Sequence, residues 1–222
     1  MKILLYNGKI WLGKKYFAES VGFDDESGKI IFVGKSVSQG KIKYDTSIDL
    51  KGKFVMPAFS DGHVHLFKGA MVNNEVDLRY AATGEDFRKN ILGYKAIIGK
   101  GGWIVGGYFS ETNFTENFEV NKYLLDDICP DIPAVIFRTD LHSVICNTLA
   151  LKVIGIESRK GDFLPEELIT DSKDVITGEL KERAMYFALK FIPEKSPVEK
   201  QKILLDEILR LHSFGITSVT DI

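Results

Sequence analysis

"VMPAFSDGHVHL", residues 55–66, places two of the chain's four histidines one residue apart. An apolar run bounded by Pro57 leads into the pair, and along a strand residues i, i+2 and i+4 share a face. Asp61, His63 and His65 then project the same way, while Val64 turns into apolar packing. Two imidazoles on one strand face suit a common divalent ion, with zinc the first choice. Asp61 would act behind them by fixing one ring's tautomer. The plain alternative is a chance pair, because a metal site also draws donors from elsewhere in a fold.

Upstream of the pair the pattern is all short strands. Asn7-Gly8 reads as a two-residue hairpin turn between the apolar runs of "KILLYNGKIWL". Asp24 to Gly28 reads as a longer turn inside "SVGFDDESGKIIFVG", and Lys51-Gly52 as the turn of one more strand pair. Residues 1–56 are therefore expected to form a small, sandwich-like β domain.

Downstream the period changes. Phe87, Ile91, Tyr94 and Ile98 fall at helical spacing, with Thr83 and Asp86 as start signals and Gly99 as the stop. "GWIVGGYF" reads as a Gly-rich buried strand, "PAVIFRTD" as a strand and then a polar break, and "TLALKVIGI" as a short helix. Leu180, Ala184, Phe187 and Phe191 fit one helical face. Ser196-Pro197-Val198-Glu199 is a capping box with proline at the first helical position. Leu204, Ile208 and Leu211 form that helix's apolar stripe, Gly215 suits its end, and "ITSVT" reads as a buried strand. A strand after a capped helix is how parallel α/β layers are built.

Composition bounds the function. In 222 residues, 45% hydrophobic and 27% charged residues describe an ordinary globular chain. A net charge of −2 offers no electrostatic footprint for nucleic acid or an anionic membrane. No stretch approaches the roughly 20 apolar residues of a spanning helix, and the apolar run after Met1 is too short for a secretory leader. Cys129 and Cys146, far apart, are read as free thiols in a reducing cytoplasm.

The stretch "VMPAFSDGHVHL" resembles the signature with which amidohydrolases leave a small β domain and enter a catalytic (β/α)8 barrel, with Ala58 for the usual glycine and Ser60 for an apolar residue. Four more segments are similar to the amidohydrolase-3, YtcJ-like branch: "GGWIVGGYFSETNF", "FRTDLHSVICNTLAL" with Leu141 for a glycine, "ITGELKERA" and "LHSFGITSVTDI". The resemblance implies an α/β fold: the small β domain, then the first strands of an incomplete TIM-like barrel from residue 57 to 222. An α+β segment, about residues 70–195, would be inserted between the first two barrel strands, and the chain would stop after the second. It implies that His63 and His65 bind the metal and that His142 faces a small-molecule amide substrate. For His142 the alternative is a loop histidine bonded to backbone. Glu179 would approach the site from a helix start or remain a solvated carboxylate. Trp103 is assigned to the core, Arg138 and Asp140 to a local ion pair, and His212 to a polar or capping role on its helix.

In that family the remaining ligands and the acid/base residue come from later strands, so no catalytic residue is assigned here. A hydrolytic zinc site needs about three protein ligands and a base. The expectation is the N-terminal part of a metal-dependent hydrolase of C–N bonds, inactive alone or completed by self-association or a second polypeptide. The alternative is a non-catalytic remnant or a ligand- or partner-binding module.

Overall fold

A computed structural model describes residues 1–35, 42–99 and 101–222, which fall into two compact units. The first comprises Met1–Gly62 and Leu211–Thr220, and the second His63–Arg210 and Asp221–Ile222.

The first unit opens with β1 (Lys2–Tyr6), β2 (Lys9–Trp11), β3 (Phe17–Ala18), β4 (Ser20–Asp24), β5 (Lys29–Gly34), β6 (Thr46–Asp49) and β7 (Phe54–Val55). They make two sheets, ordered β5-β4-β1-β6 and β3-β2-β7. Asp24 to Gly28 does turn β4 back onto β5 as an antiparallel pair. Asn7-Gly8 and Lys51-Gly52, in contrast, are not hairpin turns. β1 pairs with β6 and β2 with β7, all in parallel. The two segments run side by side from one sheet to the next, with Gly52 N donating to Asn7 O at 2.7 Å and Lys9 N to Lys53 O at 2.9 Å. Asn7, Lys51 and Gly52 all take positive φ. The left-handed residues that suit a hairpin serve equally to swing a strand between sheets. Ile10, Ala18 and Val21 form the unit's buried cluster.

β8 (Phe59–Val64) carries His63, and His65 joins it to α1 (Leu66–Asn73). The second unit continues with β9 (Val76–Asp77), α2 (Gly84–Ile97), β10 (Ile104–Phe109), α3 (Lys122–Ile128), β11 (Ala134–Arg138), β12 (Ser143–Cys146) and α4 (Thr148–Ile154). β13 (Leu168–Thr170), β14 (Ile176–Lys181), α5 (Glu182–Leu189) and α6 (Pro197–Ser213) complete it, and β15 (Ile216–Asp221) follows. Thr83 and Asp86 make the expected capping box on α2, each bonding the other's backbone, and Ser196 and Glu199 do the same for α6.

A mixed six-stranded sheet, β13-β14-β12-β11-β10-β9, forms the body of this unit. Adjacent residues feed opposite faces. Ile136 and Ile145 join one buried cluster with Phe87 and Leu125, while Val135, Val144 and Cys146 join another with Ala184 and Met185. A sheet covered on both faces explains the unbroken apolar run of "PAVIF". Two expectations change here. The polar break after β11 is a hairpin turn into β12, and residues 176–181 are a strand, not the start of a helix. Ile176, Gly178 and Leu180 are buried alternately, a period of two that the helical reading of Leu180 with Ala184 overrode.

β8 and β15 form a separate two-stranded sheet. Phe59 N donates to Gly215 O at 2.8 Å and Ile222 N to Val64 O at 3.2 Å, so the strands run parallel. β15 is mostly exposed rather than buried, because β8 is its single strand neighbour among the described residues. No described helix is long and apolar enough to cross a membrane.

Candidate metal centre

His63 and His65 stand at the C-terminal end of β8, both exposed, with ring centroids 5.9 Å apart and planes at 70°. His65 Nδ1 bonds the backbone oxygen of Ile222. A backbone oxygen only accepts, so Nδ1 is the donor in this contact and Nε2 is the nitrogen left for a metal. This orienting group lies 157 positions away in sequence, beyond the reach of a pattern read along one strand. The expectation had named Asp61 for such a role.

His65 is also the N-cap position of α1, yet its side chain makes no capping bond. Asp221 Oδ1 instead accepts the Leu66 N–H at 2.9 Å. The end of the second parallel strand thus supplies both the group that aims His65 and the group that caps the helix after it. Neither Asp221 nor Ile222 was singled out from sequence, although a Thr-Asp ending a β-branched strand is a cue for such a contact.

The donor set stops at two imidazoles. Among the described residues no group of three or more His, Cys, Asp or Glu is placed to hold one metal ion. Cys129 and Cys146 are free and buried, and burial pushes their thiols up to about 11 and about 12. Neither is a ready thiolate ligand. Two imidazoles alone fall short of the three protein ligands that a catalytic zinc requires.

The other candidates gather elsewhere. His142 is exposed, and its Nδ1 lies 3.0 Å from Glu182 Oε1 while its N–H donates to Asp140 Oδ1 at 2.9 Å. Leu141, directly before His142, and Glu182 itself both take positive φ, at 62° and 43°. The carboxylate at His142 is thus Glu182, the final residue of "TGELKE". Glu179 sits in β14 rather than at a helix start and is engaged by Arg138 and, at 3.2 Å, by Lys181. Arg138 also holds Glu111 at 2.6 Å, which replaces the expected Arg138–Asp140 pair. Trp103 packs against the second buried cluster, as expected, and also borders a cavity described below. His212 is exposed in the last turn of α6, where its carbonyl accepts from Gly215 N at 2.9 Å.

The Amidohydrolase family model matches residues 46–222. The chain belongs to the amidohydrolase family. It is 29% identical, over 99% of its length, to the protein LONG AFTER FAR-RED 3 of Arabidopsis thaliana, of which the match spans 38%. It is 29% identical over 71% of its length to N-substituted formamide deformylase of Arthrobacter pascens, spanning 30% of that enzyme. The crystal structure of an uncharacterized metal-dependent hydrolase from Pyrococcus horikoshii superimposes on the whole chain with a TM-score of 0.65 and 27% identity, over 43% of that protein. This chain spans less than half the length of each.

Proposed function

We propose that the chain is the N-terminal part of a metal-dependent amidohydrolase that cleaves a C–N bond, an amide, in a small molecule. The observation that carries this reading is the His63–His65 pair at the end of a parallel strand, with His65 Nδ1 bonded to the Ile222 oxygen. The named activities of the relatives, a metal-dependent hydrolase and a deformylase of N-substituted formamides, support the reaction class. In it, residues 1–56 are the small β domain, and residue 57 begins a (β/α)8 barrel of which β8 and β15 are the first two strands. The segment from about 70 to 195 is the insertion, and its His142, braced by Glu182, contacts the substrate.

A divalent ion, with zinc the first choice, would supply carbonyl polarisation and a more acidic bound water. His63 and His65 would hold it, and the remaining ligands and the acid/base residue would come from a later part of the same protein, a second polypeptide or another copy. Two buried free cysteines fit a reducing, cytoplasmic setting.

The test is zinc affinity of the 222-residue chain beside a His63→Ala/His65→Ala variant, by equilibrium dialysis. Weak binding that the variant abolishes supports two ligands of an incomplete set. Tight 1:1 binding lost in the variant means that the chain or its oligomer completes the site. Binding that survives the double substitution overturns the assignment and leaves the alternative, a ligand- or partner-binding module.

A further inference from the structure

The second unit contains a cavity of about 980 Å³. Phe67 and Met71 of α1, Tyr94 of α2, Trp103, Tyr108 of β10 and Phe137 of β11 line one part of it, and charged side chains, Lys195, Lys200 and Lys202 among them, line another. Glu75 places a part-buried carboxylate in that lining, and its Oε2 accepts the Tyr108 hydroxyl proton at 2.6 Å.

The backbone is bent to make this arrangement. Gly106, Gly107 and Tyr108 take positive φ in succession, at 122°, 101° and 58°. Between Gly107 and Phe109 the β10–β11 register shifts, which leaves Tyr108 as the extra residue of a bulge. Bulges re-aim side chains, and a bulky residue held at positive φ is strained, so the surroundings must hold it there. Here the result is a Tyr108 ring stacked on Phe137, centroids 5.6 Å apart, with its hydroxyl on Glu75. Gly106 serves the same end from the other side. A Cβ there would stand 2.7 Å from Glu75 Cβ and 2.6 Å from Val76 O, so only glycine lets Glu75 come this close to β10.

Glu75 has one strong neutral donor and, among the described residues, no ion pair; of the lysines that share the cavity lining, Lys200 is paired with Glu194 at 3.3 Å and Lys195 acts on Glu75 only through its charge. Burial pushes its carboxyl above the ordinary glutamate range, while the Tyr108 hydroxyl and the more distant charge of Lys195 draw it back. A desolvated carboxylate among aromatic faces is the environment that organic ammonium groups select, by charge pairing and cation–π attraction together.

We propose that this cavity binds a small organic cation, an ammonium group on an apolar body, with Glu75 as counter-charge and the rings of Tyr108, Tyr94 and Trp103 around it. The inference does not rest on the hydrolase reading.

The test uses the full chain carrying Trp11→Phe, which leaves Trp103 as the sole tryptophan. Benzyltrimethylammonium and the neutral benzyl alcohol are titrated separately while Trp103 fluorescence is followed. The expected result is a saturable change with the ammonium and at least about tenfold weaker binding of the alcohol, with a similar loss for the ammonium in Glu75→Gln. Equal affinity for the two probes, no saturable change with the ammonium, or full ammonium affinity in a folded Glu75→Gln would overturn the proposal. Should Glu75→Gln not fold, the two-probe comparison on the unsubstituted cavity decides alone.

Discussion

Asp221 Oδ1 accepts the backbone N–H of Leu66 at 2.9 Å, so the last strand caps the helix that begins directly after the histidine pair. An N-terminal N–H satisfied by a carboxylate also gains from the helix dipole. Asp221→Ala is expected to cost about 1 kcal/mol, read by urea unfolding, and to raise amide exchange through α1. Asp221→Asn, which keeps an acceptor, should recover most of that loss. Equal exchange in all three proteins would show that the contact does not hold the helix.

At its other end α1 is tied by Glu207, whose carboxylate accepts from Asn73 Nδ2 at 3.2 Å and from Arg210 Nε at 2.9 Å. Arg210 and Asn73 hold the Glu207 carboxyl below the usual range against the opposing effect of burial. A depressed folded-state pKa contributes stability above the unfolded value, about 4.3, which is lost as pH falls through the folded one. Glu207→Gln should therefore be less stable than the parent at pH 7, by about 1 kcal/mol. The difference should shrink steadily below pH 4. Urea midpoints at several pH values check this, and a gap that stays constant with pH would rule the linkage out.

Gly178 and Gly28 separate backbone strain from collision. Both take positive φ, at 100° and 66°. A Cβ on Gly178 would meet Cys146 O at 2.6 Å and Lys122 Cβ at 2.7 Å, whereas one on Gly28 meets nothing within 4 Å. Gly28→Ala should cost about 1 kcal/mol from conformation alone. Gly178→Ala adds a clash inside the six-stranded sheet and should cost about 3 kcal/mol or more, or prevent folding. Thermal melts of the two variants side by side would show the order reversed if the sheet tolerates the intrusion.

Cys146 is fully buried, with its thiol pushed up to about 12. Under native conditions neither it nor Cys129 should react with a disulfide reagent over minutes, and both should react once urea unfolds the chain. A fast native reaction of either would mean that the unit opens far more readily than its packing implies.

These cases show what a single sequence carries. Both capping boxes were legible because each is a local exchange of bonds within four residues, Thr83 with Asp86 and Ser196 with Glu199. The histidine pair was legible as spacing on one strand face. Pairing partners were not. Asn7-Gly8 has the conformation of a hairpin turn, and only the parallel neighbour at Lys51-Gly52 shows that the chain is crossing between sheets. Leu180 fell on a helical period with Ala184 by coincidence, while Gly178, which only a strand in close contact demands, gave the better signal. The six-stranded sheet was hidden because its strands pair across helices. Glu182 was passed over for Glu179 because the side chain that selects it, His142, lies 40 positions earlier.

The contact between His65 and Ile222 also has a meaning in time. Nothing that orients the His65 ring through Nδ1 exists until the chain has been made through residue 222 and β15 has docked on β8. Closing a loop of this length costs more chain entropy than forming the local helices or the hairpin of β11 and β12. The histidine pair is therefore written early in the polypeptide, and the group that aims one of its rings is written 157 positions later.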